Sequence, residues 1–158
     1  MAGDVSLRYD DGSPMSEPID FVTLEIPAKA EYVVLGRLAL AGLVRERPFS
    51  ADAVADLKLA LTEACSNSIR HAYADGQGQI RLGFRVADRC LVLTVRDEGA
   101  GFDDSEEQTA LFASGMDRIS LPEGGMGFSI IRAVVDDFSL EHPSAGGTLL
   151  TLTKRFDL

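Results

Sequence analysis

The amino-acid sequence predicts an α+β domain in which helices cover one face of a mixed, mostly antiparallel sheet. Three observations lead there. The chain has 158 residues, about one domain at roughly 100–200 residues per domain. Its apolar periodicity alternates between strand-like and helix-like, in the order β-α-α-β-β-long connection-α-β-β. Its strands come mostly as consecutive hairpins, which make antiparallel pairs and leave the helices to layer on one side.

Each element has its own signal. Residues 1–17 are acidic and interrupted by Gly and Pro, and are expected to form a flexible tail before a domain spanning 18–158. Residues 19–27 (IDFVTLEIP) are β-branched and aromatic and stop at Pro27, so they read as a strand. Residues 29–47 place Val33, Val34, Leu38, Leu40, Ala41 and Val44 at helical spacing, and Pro48 ends that helix. Ser50 is a good N-cap for a second helix running from Ala51 to about Ala74. Ile80, Leu82, Phe84 and Val86 alternate, then Leu91, Leu93 and Val95, so residues 79–97 read as a hairpin turning at Ala87-Asp88-Arg89. Residues 98–124 form a connection of unusual length, of the kind that more often serves as a functional lid. A third helix is expected from Gly127 to about Asp137, a short strand from Phe138 to His142, and a closing strand from Thr148 to Arg155.

Composition excludes several functions. Fifteen Lys and Arg against 25 Asp and Glu give a formal charge of -10, which argues against a general attraction to nucleic acid or anionic membranes. No run approaches about 18 consecutive apolar residues, and the N-terminus lacks the apolar core of a signal peptide, so the cytoplasm is the expected compartment. Cys65 and Cys90 form no CxxC pair and read as buried thiols; with only His71 and His142, a histidine-rich metal site is excluded.

Three features carry chemistry. On the second helix, Val54, Leu57, Leu61, Ala64, Cys65, Ser68 and Ala72 fall on one apolar face. Glu63 and Asn67, one turn apart, lie roughly opposite it with Arg70 nearby. That stripe is either a solvated face or a carboxylate and carboxamide positioned around a hydroxyl, a water or Mg²⁺. Asp97 shares strand parity with Leu91, Leu93 and Val95 and so points into the core, where a charge needs a partner. The glycines at 99 and 101 then allow close approach of a ligand. Thr148 shares the inward parity of Leu150 and Leu152, and is either a second group reaching the same pocket or simply a good strand former. Lastly, Gly124-Gly125-Met126-Gly127 opens a helix, where backbone N–H groups and the helix dipole favour phosphate without a basic chain. Neither GxGxxG nor GxxxxGK[ST] occurs.

An ExxxN helix, a DxGxG strand end, a long loop and GGMG, in that order, resemble the ATPase domain shared by gyrase and histidine kinases, over residues 19–155. The strings EACSNSIRHAY and GGMGFSIIRAVVDDF are most similar to the small anti-sigma-factor serine kinases of that superfamily. The resemblance implies the Bergerat fold, a two-layer α/β sandwich that binds ATP or ADP with Mg²⁺. It implies Asn67 as the Mg²⁺ ligand, Glu63 as general base, Asp97 as the partner of the adenine amino group, and Thr148 as its support. Gly99 and Gly101 would shape the adenine pocket, Gly125, Met126 and Gly127 would meet the phosphates, and residues 103–124 would be the lid. His71 is read as pocket wall beside its ordinary core or surface alternatives.

Implied partners are a sigma factor and a STAS-type anti-anti-sigma protein, with Arg37 at the partner surface, and the expected assembly is a homodimer. The chain departs from the family where a basic residue often precedes the second glycine box; here Leu121-Pro122-Glu123 stands there, and Arg118 is the nearest cation. That departure keeps open a second reading, a non-catalytic nucleotide-gated binding module.

Overall fold

The computed structural model describes residues 20–73, 75, 77–87, 89–99 and 126–155. The proposed tail, the lid, Gly101, Arg118 and Gly125 lie outside them. Strand β1 (Asp20–Pro27) leads through a 3-10 turn (Ala30–Tyr32) into α1 (Val33–Val44). Helix α2 (Ala51–Asn67) runs into a π-helical turn (Ser68–Ala72). Then come β2 (Gln79–Val86), β3 (Cys90–Asp97), α3 (Met126–Val134), β4 (Asp137–Glu141) and β5 (Thr148–Arg155). The sheet order is β1-β2-β3-β5-β4, and every described pairing is antiparallel, where a mixed sheet was expected.

Local chemistry sets the boundaries. The Ser50 hydroxyl accepts the Ala53 N–H at 3.0 Å and caps α2 as expected. The first helix is shorter than residues 29–47. Lys29 is extended, and the Arg47 N–H closes a tight turn on the Val44 carbonyl at 3.0 Å, because Pro48 disfavours helical backbone just before it. The second helix does not continue as α-helix to Ala74. After Asn67 it widens by one residue per turn, and the Tyr73 N–H reaches back to the Ser68 carbonyl at 3.3 Å. The third helix and the strand after it each begin one residue earlier than the periodicity suggests.

One face of the sheet meets the helices. Ile80, Leu82, Phe84, Leu91 and Leu93 are fully buried against Leu40 of α1, Leu57 and Leu61 of α2 and Ile131 of α3. Each such side chain contributes about 1.5–3 kcal/mol when removed from water. Gly36 brings α1 close to the sheet: a Cβ there would lie 2.6 Å from Leu82 Cδ1. Helix α2 contacts α1 and α3 as well as the sheet, so it is covered on more than its sheet-facing side. Lys154 ties the layers together. Its Nζ donates to the Val134 carbonyl at 2.8 Å and pairs with Asp56 at 3.5 Å.

Both cysteines are free and buried, as expected, and burial pushes the Cys65 thiol up to about 12. No helix among the described residues is long and apolar enough to cross a membrane.

Candidate functional site

Register and alternation bring the polar groups together at one end of β3. Asp97 lies opposite Thr148, and both side chains turn inward as their parity requires; each is 2 % exposed. The Ser68 hydroxyl donates to Asp97 Oδ2 at 3.0 Å, across from the π-helical turn. Asp97 Oδ1 and Thr148 Oγ1 are buried with no hydrogen-bond partner among the described residues. Burial holds the Asp97 carboxyl above its ordinary value. The Ser68 hydroxyl, the peptide groups of Gly99 and Thr148, and the His142 imidazole pull it the other way.

Glycines close this corner. Gly147 has φ of +80°, and a Cβ on it would strike the backbone oxygen of Asp97. Gly99 lies so close to the backbone of Ala72 that a Cβ there would collide with it. The Glu98 N–H donates to Tyr73 Oη at 2.6 Å, fixing the chain between those glycines and pinning the strand end to the last turn of the helix.

Asn67 corrects the reading of the helix stripe. It was placed roughly opposite the core, yet it is 1 % exposed, while Glu63 is half-buried and Arg70 exposed. The helix's own periodicity locates the face that meets the sheet; it does not show that a neighbouring helix covers a second side. Arg70 Nη2 donates to Asn67 Oδ1 at 3.3 Å, and Asn67 Nδ2 has no partner among the described residues. His71 and Arg37 are exposed. Met126 and Gly127 are the first described residues of α3, and Gly124 and Gly125 lie outside the described residues.

The structure therefore brings Asn67, Asp97, Gly99 and Thr148 to one end of the sheet and of α2, with Glu63 one turn back along the helix. Ser68, Tyr73 and Gly147 belong to the same site and were not foreseen as functional. Ser68 was counted in the core stripe, and its place directly after Asn67 was the available signal. Gly147 falls between the two expected strands, Phe138 to His142 and Thr148 to Arg155.

The donor set fits a planar heterocycle bearing an amino group. A partnerless buried carboxylate oxygen accepts such a donor, and the neighbouring hydroxyl completes the contact. It also fits a hard cation beside phosphate. No cluster of three His, Cys, Asp or Glu side chains occurs among the described residues. A cation near the Asn67 carboxamide would thus draw its remaining oxygens from phosphate and water, as Mg²⁺ commonly does.

Comparison with known proteins agrees with this geometry. Residues 26–154 match the model of the histidine kinase-like ATPase domain. Proteins named serine-protein kinase RsbW from Bacillus cereus and Bacillus anthracis are 33% identical over 139 residues, covering 87% of this chain and 87% of theirs. The crystal structure of the RsbU and RsbW domains of Rv1364c from Mycobacterium tuberculosis superposes with a TM-score of 0.58 at 23% identity. That match covers 90% of this chain and 33% of the longer one, and it supports the fold. On this match over most of its length, the chain belongs to the histidine kinase-like ATPase domain family, among relatives of the RsbW serine-protein kinases.

Proposed function

We propose that the chain is an ATP- and Mg²⁺-dependent serine kinase that phosphorylates a STAS-type anti-anti-sigma protein and sequesters a sigma factor when that protein is unavailable. The observation that carries the reading is the buried Asp97 carboxylate, with one oxygen held by Ser68 and the other partnerless beside Thr148. In this reading Asp97 accepts the adenine amino group, with Thr148 beside it. Gly99 and Gly101 leave room for the ring.

Asn67 holds the cation, which when bound offsets phosphate charge, and Arg70 orients the carboxamide from outside. The backbone of Gly125, Met126 and Gly127 receives the phosphates, and Arg118 supplies positive charge. Glu63, half-buried one turn before Asn67, takes the proton of the acceptor serine. The serine oxygen bonds to the terminal phosphorus, the bond from that phosphorus to the bridging oxygen breaks, and ADP leaves. The partial exposure of Glu63 suits a base that must meet a hydroxyl on another protein.

The partner surface is α1. Val34, Leu35 and Leu38 are 49%, 43% and 63% exposed around Arg37, which is apolar area a protein partner or a second copy in a homodimer would cover. The expected compartment is the cytoplasm, where such partners work.

The test is a transfer assay with Mg-ATP and the cognate anti-anti-sigma protein. Glu63→Ala should retain ATP affinity within about threefold and lose transfer by at least roughly a hundredfold. ATP binding with no transfer by the unaltered chain would favour the non-catalytic, nucleotide-gated module instead.

A further inference from the structure

The face of the sheet turned away from the helices has a cleft of its own. Its floor is a cross-strand row in which Glu25 lies opposite Arg81 and Arg81 opposite Arg96. With Tyr73, Gln79 and Glu98, these residues line a cleft of about 320 Å³. That is near the lower end of the range for small-molecule sites, roughly 300–1,000 Å³.

The two arginines differ. Arg81 pairs with Glu25 at 3.7 Å, with both side chains about half exposed, so the pair is weak. Arg96 is half-buried, and its Nε is shielded from solvent without an acceptor among the described residues. A shielded donor left without an acceptor is costly. Like charges directly across a strand pair repel. A single anion seated between the guanidinium groups relieves both costs, and their planar forks match the oxygens of carboxylate or phosphate. Glu98 and Gln79, exposed at the rim, suit a ligand that also carries hydroxyl or amino donors.

We infer that this cleft binds a small anionic metabolite, with its carboxylate or phosphate held between Arg81 and Arg96, on the face of the sheet opposite the nucleotide pocket. The two sites are neighbours, and Tyr73 borders both. Arg96 and Asp97 are consecutive residues, and strand alternation sends one to each face. The cleft thus adds a ligand site that the kinase reading does not require.

Calorimetric titration of the full chain with inorganic phosphate and with citrate tests the site, each with and without Mg-ADP. Saturable binding on the order of millimolar by either anion, unchanged by Mg-ADP, is expected. Arg96→Gln should weaken it at least about tenfold and Arg81→Gln about threefold. Preference for phosphate or for citrate assigns the anion class. Should Arg96→Gln fail to fold, the exposed Arg81→Gln carries the test. Absence of saturable binding, displacement of the anion by Mg-ADP, or unaltered affinity in the folded variants overturns the assignment.

Discussion

The two faces of the sheet share strands, register and hydrogen bonds, yet they use charge in opposite ways. On the helix-covered face the Asp97 carboxylate is buried beside Thr148 at the end of a mostly apolar layer, held by one hydroxyl and hemmed in by glycines. On the open face, the opposite charges of Glu25 and Arg81 lie side by side where water reaches them. An ionised group in the first setting is costly and specific; in the second it is inexpensive and replaceable. Substitutions on the covered face should therefore have large, position-dependent effects, and those on the open face small ones.

The largest expected effect is steric. Gly147→Ala combines a positive φ with a collision against the Asp97 backbone, and should lose roughly 3–4 kcal/mol in chemical denaturation. Gly146→Ala next to it has φ of +97° and open space, so it should lose only about 1 kcal/mol. Equal losses would mean that the strand ends do not need to touch.

Next is Asp97→Asn, which should weaken ADP binding about a hundredfold in a fluorescence titration. The same variant should gain stability without nucleotide, by about 1 kcal/mol or a rise in Tm of roughly 2–4 °C near neutral pH. The sign follows from linkage. The folded chain holds the Asp97 proton more tightly than the unfolded chain, so it binds more protons between the ordinary value of 3.8 and the raised one. Stability from this group falls as pH rises through that window, and the asparagine variant lacks the fall. A less stable Asp97→Asn would contradict the comparison directly.

Ser68→Ala is smaller. It removes the strongest of the groups favouring ionised Asp97. ADP affinity should fall about tenfold, and the acid limb of its pH profile should move upward. An unchanged profile would show that the hydroxyl serves packing alone. The smallest effect belongs to the open face, where Glu25→Ala should change stability by less than about 0.5 kcal/mol.

What the sequence revealed follows the same division. Strand period is two with no drift, so parity alone turned Asp97 and Thr148 inward, and both are buried. The fold class followed from hairpin alternation, and the order of the three polar motifs identified the family. The helix site was less legible. Asn67 lies outside the α2 core stripe, and its burial depends on coverage that α2's own sequence does not specify. The hydrogen bond from Ser68 to Asp97 spans 29 residues of sequence, beyond any local pattern. The π-helical turn is equally hidden, since its residues have ordinary helical character until the closing bond from Tyr73 is seen.

The attachment of α3 has a mechanical consequence. Lys154 holds the Val134 carbonyl at 2.8 Å, and just beyond the helix Asp136 is tied to β5 by its own N–H to Thr153 at 2.9 Å and by its carboxylate to the Arg155 N–H at 2.6 Å. These bonds act as a fulcrum at the C-terminal end. The helix has 9 residues and so extends about 13.5 Å at 1.5 Å per residue. A swing of about 10° around the fulcrum carries its first turn roughly 2 Å, the difference between a formed hydrogen bond and none. The C-terminal end of the helix is thus bolted to the sheet, and any tilt about it would be felt most at Met126.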